Sequence, residues 1–459
     1  MARKGRVISF EFSTTQTYIM VVTDQNIAVF KDDVWQADIQ APYLDAEMND
    51  ISWSQNLDTL LIFHEDHHTQ GIQRQGAHDE WNISDWAYTN IPNYDFGSGA
   101  EAVISDSRGW PRCGAFFGGR LYVAGLKSRP STILATKAGS FTDLDSSTTD
   151  ADMGLDVTAL GDQVVSFHAI FAGRHLQFFS SSSEFYVPVS ENEGITPTNF
   201  VLRDTSNRGS QKGVMPFSVD GATMFLQRGG KSLREFLFVD SEAAYQANNL
   251  SLLASHLVRT PTDMALRRSI NTDDADYVWM VNSDGTLASF CTLRLQDINA
   301  WTLQSTEGQF VAVNTILEDT YVLVDRTIQG TSCFHLEKFV DGTYTDDNVT
   351  GGAASSVSGL DWIEGEEVEV RLDGTLQNNK TVASGVVTFD RPSTTSYEIG
   401  LPFPDVTDDF DDNDEDLNTG QQIFMRSMPA EEALPEGTQI GRKKRIVNVT
   451  CLVNETLGP

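Results

Sequence analysis

In the stretch LLIFHEDHHTQGIQRQG, residues 60–76, His64, Glu65 and His68 spell H-E-x-x-H, a spacing that can do chemistry. On a helix, positions i and i+4 share a face, two imidazoles grip one Zn²⁺, and the intervening glutamate polarises the metal-bound water, as a metal-dependent hydrolase requires. The chemistry therefore depends on helical context. Leu60, Leu61, Ile62 and Phe63 form a short apolar run before the motif, and Gln70, Gly71, Ile72, Gln73 and Arg74 after it include a glycine and lack helical periodicity. The stretch reads as strand, polar turn, strand. The next histidine, His78, stands among Gly76, Ala77 and Asp79, where no helix continues to bring a third ligand. The expectation is a solvated hairpin turn with its imidazoles facing solvent or a neighbouring subunit, and no metal.

Other candidate chemistries lack their context. The loop DVTDDFDDNDEDLNTG, residues 405–420, is rich in carboxylates that suit calcium, but ligands at Asp412, Asp414 and Asp416 place Leu417 where an EF-hand loop needs glycine. It reads as a solvated acidic loop. The cluster Arg442, Lys443, Lys444 and Arg445 suits that loop, a neighbouring subunit or phosphates, and supplies the candidate interface residues. Arg228 to Lys231, RGGK, lacks the spacing of a phosphate loop, and the serine run 180–183 lacks a nucleophile elbow. No catalytic residue and no cofactor site is assigned, and the chain is expected not to be an enzyme.

The elements that must carry these residues are mostly strands. Period-2 alternation, broken by Gly, Asp, Asn and Ser, runs to about residue 340. An apolar strand, a polar turn and a second strand recur from Thr17, Thr59, Arg120, His175, Ala222, Asp276 and Thr320, seven hairpins in all. Their spacing of about 40 to 50 residues is that of propeller blades. A strand pair cannot bury both faces alone, and radial closure protects its edges. The expected fold is all-β: a β-propeller of six to eight blades over residues 1–340, with Trp81, Trp86 and Trp301 between blades. A helix is expected as an insertion near residues 241–258, because Leu250, Leu253, Ala254 and Leu257 recur at helical spacing; its His256 reads as a packing or hydrogen-bonding residue. Residues 341–362 read as a Gly/Ser/Thr-rich linker. Residues 363–459 read as a smaller C-terminal antiparallel β domain, a barrel or sandwich ending in a platform-type strand, with turns at Asp373-Gly374 and Ser384-Gly385.

Composition narrows the partners. The 459 residues carry 65 acidic and 32 basic side chains, a formal charge of −33, which argues against a conventional binder of nucleic acid or anionic membrane. It is compatible with a conduit that lets DNA pass without holding it. Cys113, Cys291, Cys333 and Cys451 are widely spaced and read as reduced thiols. No run of about 18 apolar residues suits a membrane span, and the N-terminus lacks a signal-peptide core.

Several stretches, in order, resemble the nozzle proteins of short-tailed bacteriophages, the tail tubular protein B family. They include RVISFEFSTTQTYIMVVTDQNIAVFKD, RGWPRCGAFFGGRLYVAGLKSRPSTI and, most specifically, NRGSQKGVMPFSVDGATMFLQRGGKSLREFLF followed by AYQANNLSLLASHLV; IGLPF and GRKKRIVNVT continue the order. The resemblance implies a structural virion protein of the tail: a propeller flanked by smaller β domains, in a ring of six below the portal adaptor. That ring would help hold fibres or spikes and line the DNA ejection channel, opening by displacement of channel loops after host contact. No catalytic residues come with it. Members of that family carry further segments before the strand matching Arg6 to Phe12 and after GRKKR, so part of the adaptor platform is expected to be reduced or supplied by another polypeptide. The alternative is a host-surface glycan-binding propeller, an adhesin, using surface aromatics such as Trp35 and Trp110.

Overall fold

A computed structural model describes residues 5–97, 99–160, 163–188, 194–271, 274–296 and 298–403. The acidic loop at 405–420 and the basic cluster Arg442, Lys443, Lys444 and Arg445 lie outside the described residues. Six four-stranded antiparallel sheets follow one another along the chain, over residues 6–40, 52–85, 113–158, 167–206, 217–249 and 263–304, and a seventh of three strands covers 309–338. Within each, strand order is sequence order. They are the blades, numbered 1 to 7 here, of a β-propeller, and each hairpin read from the sequence is the central pair of its blade in blades 1 to 6 and the last two strands in blade 7.

Seams between blades explain why both faces of the central strands are apolar. In Thr59–His64, Leu60 and Ile62 join a buried cluster with Ile8, Met20 and Val29 of blade 1, whereas Leu61 and Phe63 join Leu121, Val123 and Leu134 of blade 3. Period-2 geometry thus sends alternate side chains into opposite seams. The same arrangement recurs between every successive pair of blades. The last seam closes the ring: Val7, Ile19 and Val21 of blade 1 meet Ala312, Tyr321 and Leu323 of blade 7. Asn314 Nδ2 donates to the Val7 carbonyl at 2.8 Å across this closure. Trp81, Trp86 and Trp301 pack against the seam clusters of blades 1–2, 2–3 and 5–6 respectively, as their positions after the hairpins suggest.

The helix expected near 241–258 does not form. Ala244–Asn249 is the outer strand of blade 5, paired along Leu233–Val239. Beyond it, Ala254 N bonds to the Ser251 carbonyl and Leu257 N to that of Ala254, so residues 251–257 make two tight turns. Leu252 and Leu253 are left exposed at 70% and 75%. The sheet pairs the inner edge of 244–249 along Leu233–Val239 and buries Tyr245, and this tertiary gain outweighs a weak helical pattern. His256 is exposed, not packed; its carbonyl accepts from Arg259 Nε at 3.1 Å.

The segment read as a linker is also structured. Asp346–Gly351 pairs with Tyr397–Leu401, which pairs in turn with Glu367–Leu372, giving a small sheet over its own core of Leu360, Ile363, Val370 and Ile399. Ile328, at the tip of the long hairpin of blade 7, packs on that core. The turns at Asp373-Gly374 and Ser384-Gly385 fall where expected.

Candidate functional site

The H-E-x-x-H stretch is a hairpin. Thr59–His64 pairs with His67–Arg74, Glu65 and Asp66 make the turn, and His64 is the cross-strand partner of His67. This geometry separates what a helix would bring together. His64 follows Ile62 to the blade 1 side, where its ring lies 5.0 Å from that of His67 and 6.4 Å from Tyr43. Glu65 and His68 turn to the blade 3 side. Glu65 forms an ion pair with Arg112 and lies 3.6 Å from Lys212, and the His68 ring lies 3.8 Å from that of Trp110. The i, i+4 pair of the motif therefore cannot share a metal.

The hairpin is not the solvated turn expected of it. His64 is 2% exposed. Burial holds its imidazole below the ordinary range, and the His67 ring lowers it further against the opposing pull of Glu47. Trp110, read as a surface aromatic, is likewise buried; Trp35 is exposed, on the outer strand of blade 1.

A different trio meets on the blade 1 side. The connection from blade 1 to blade 2 makes a short 3-10 turn, Asp45–Asp50, which brings Glu47 over the hairpin. His67 Nε2 lies 2.8 Å from Glu47 Oε2, and one ligand atom from each of Glu47, His64 and His67 falls within 4.8 Å of the others. Glu47 Oε2 also accepts from Leu44 N at 2.9 Å, which fixes its carboxylate. Tyr43 lies edge-on to both imidazoles, 5.5 Å from His67, and is wholly buried, with no hydrogen-bond partner for its hydroxyl among the described residues. These residues have the types and proximity to hold a divalent ion; the sequence signal that points to them is a histidine on each side of a two-residue turn.

Next to the trio, a polar network crosses the mouth of the propeller axis. Arg6, at the start of blade 1, donates to Asp263 Oδ1 of blade 6 at 2.6 Å and to the Ile51 carbonyl before blade 2 at 3.4 Å, and also bonds the Gly213 carbonyl before blade 5. Blades 1, 5 and 6 are not all neighbours, so these bonds cross the axis. Burial pushes the Asp263 carboxyl up; Arg6 and the amides of Val313 and Met264 pull it back. Gly213, at φ +83°, can be only glycine, because a Cβ there would lie 2.1 Å from the Asn49 carbonyl oxygen. Arg112 donates to Ser166 Oγ at 3.3 Å and to His168 Nδ1 at 3.4 Å, and Lys212 pairs with Asp50 at 2.9 Å. Burial, with help from the Arg112 and Lys212 charges, pushes the His168 imidazole down to about 4, so it stands neutral.

A second group, His335, Glu337 and Asp347, lies between blade 7 and the small sheet, but it surrounds a buried arginine. Arg326 makes bonds of 2.7 and 2.9 Å to the two oxygens of Glu337 and one of 3.0 Å to Asp346, and its guanidinium is held above its ordinary range by these carboxylates.

No family model matches the chain, and no curated protein does. Solved structures similar in fold include the β-propeller domain of Myceliophteria thermophila Cps50 (Swd1), 7% identical with a TM-score of 0.43 over 71% of this chain and 94% of that one. Another is BBS1N in complex with ARL6DN, 6% identical with a TM-score of 0.41 over 74% of this chain and 93% of that one. The likeness concerns architecture alone, and the sheet order of the described residues is that of an all-β propeller with seven blades.

Proposed function

We propose that the chain is a structural component of a short-tailed phage tail, a nozzle subunit in a ring of six that continues the DNA ejection channel below the portal adaptor and helps anchor fibres or spikes. The single observation that carries this reading is the ordered resemblance of its segments, above all the block from NRGSQKG through QRGGKSLREFLF to SLLASHLV. The excess of acidic over basic residues supports it, since like charge keeps DNA moving past a wall. Because Arg6 ties blade 1 across to blades 5 and 6, the conduit in this reading runs between copies, down the axis of the ring, and not through the propeller itself. Imaging of tails bearing labelled copies of the chain tests it: a sixfold ring at the distal end is expected, and label in the capsid shell or a ring of other symmetry overturns it.

A second reading, a glycan-binding propeller, draws on Trp35, 55% exposed beside Val34 at 60%. Aromatic faces open to solvent suit sugar rings. Retention of the isolated protein on a glycan array, lost in Trp35→Ala, would favour it over the nozzle.

A further inference from the structure

The structure assigns Glu47, His64 and His67 a role that the H-E-x-x-H spelling conceals: we propose that they bind one divalent transition-metal ion of the zinc class, which ties the connection between blades 1 and 2 to the central hairpin of blade 2. Two imidazoles and a carboxylate are a ligand set that zinc takes, with a fourth position left for water. The spacing fits. Ligand atoms at about 2.0 to 2.1 Å from a tetrahedral ion stand roughly 3.3 Å apart, and here all three lie within 4.8 Å, with His67 Nε2 and Glu47 Oε2 at 2.8 Å. A metal enters by parting that hydrogen bond by about half an ångström.

Three further observations point to a cation. Tyr43, wholly buried, leaves its hydroxyl without a partner beside the trio, and a metal-bound water supplies one. The surroundings are acidic: Asp50 and Asp66 act electrostatically on His64, and Asp85 on Tyr43. The lysines that answer Asp50 and Asp66, Lys212 and Lys127, pair with those carboxylates and not with Glu47. Finally, the ligands have coordination capacity to spare. His64 makes one hydrogen bond, accepting from Asp66 N at Nδ1 over 3.2 Å, and a metal on either ring nitrogen replaces only that long contact.

The site is structural in what it connects. Glu47 comes from the 3-10 turn, and Asn49 of the same turn is pressed against Gly213 before blade 5. A bound ion would thereby stiffen one rim of the axis mouth.

The test uses the full chain, stripped with chelator and dialysed against buffered Zn²⁺, with bound zinc measured by elemental analysis and affinity by competition with a chromophoric chelator. One zinc per chain is expected in the wild type. His67→Ala and Glu47→Gln should each weaken binding on the order of 100-fold, at or above the effect of removing a ligand's supporting partner. His68→Ala should leave it unchanged, whereas an H-E-x-x-H site would lose its zinc. His335→Asn serves as the control for the cluster on blade 7. Urea midpoints in chelator establish that each variant folds, and Zn²⁺ should raise the midpoint of the wild type and of His68→Ala but not of Glu47→Gln. Zinc that stays bound in Glu47→Gln and His67→Ala, or a wild type that binds none, overturns the proposal.

Discussion

Glu47, His64 and His67 between blades 1 and 2, and His335, Glu337 and Asp347 beside blade 7, are two groups of three nitrogen and oxygen donors, two imidazoles with one carboxylate in the first and one imidazole with two carboxylates in the second. They differ in what already stands among them. On blade 7 both oxygens of Glu337 accept from Arg326, Asp346 accepts from Arg326 and Thr306, and the two nitrogens of His335 face Asp347 at 2.7 Å and Cys333 at 3.4 Å. Each of the three residues already holds a protein partner. Between blades 1 and 2, among the described residues, no arginine or lysine pairs with Glu47 and the buried Tyr43 hydroxyl has no partner. A carboxylate taken out of water needs a positive charge or a proton; the blade 7 cluster has the first in Arg326, and the trio would take it from the proposed ion. Glu184 shows the proton route: wholly buried in blade 4, it accepts from Ser206 and from the amides of Arg208, at 3.4 Å, and Gly209, and burial pushes its carboxyl up to about 7.

The largest test of this contrast removes the arginine. Arg326→Met keeps the volume of the stem and strands Glu337 and Asp346 in a buried site, an arrangement that costs about 3–5 kcal/mol. Urea unfolding at neutral pH should show a loss of that size, smaller in acid where the carboxylates take protons. A loss under about 1 kcal/mol would mean that water reaches the cluster and that Arg326 is not its counter-charge.

The next test concerns the proton. The Glu184 carboxyl titrates at about 7 in the folded chain against an ordinary 4.5, so between those values the folded state holds a proton that the unfolded state has released. Stability from this group is therefore full below pH 4.5 and falls as pH rises to 7, by up to roughly 3 kcal/mol. Glu184→Gln keeps an acceptor for Ser206 and the Arg208 amide without the charge. The variant should lose that slope and gain on the wild type most at pH 8; parallel curves for the two across pH 4–8 would place the charge of Glu184 in compensated surroundings.

The same contrast explains what the sequence made legible. All seven hairpins could be read because a strand between two seams is apolar on both faces and ends in a polar turn, as LLIF before His64 does. Outer strands face one seam and water, and Ala244–Asn249, with one buried residue in Tyr245, offered too little pattern to outweigh the helical spacing of the leucines after it. The trio was hidden for a different reason. Its histidines become neighbours only once the register pairs His64 with His67, and Glu47 arrives from a turn on the preceding connection. A local motif search pairs His64 with His68, which the strand's alternation sends to opposite seams. Likewise Arg6 and Asp263 stand at opposite ends of the propeller's sequence, and only ring closure makes them partners.

The smallest expected effect comes from an ion pair of the same chemistry left at the surface. Lys338 Nζ lies 2.6 Å from Asp33 Oδ2 and 3.7 Å from Asp319, and Tyr321 donates to Asp33 Oδ1 at 2.7 Å, so the group straddles the closure between blades 7 and 1. Lys338 and Asp33 are 27% and 52% exposed, and water screens what Arg326 feels in full. Lys338→Met should cost at most about 1 kcal/mol, with the difference from wild type shrinking further in molar salt. The closure itself is carried by the apolar seam beneath, so Leu323→Ala, which empties part of that seam, should cost about 2–5 kcal/mol in the same assay. If Lys338→Met instead matched Leu323→Ala, the closure would be held by charge as the blade 7 cluster is, and burial would no longer be what separates the two.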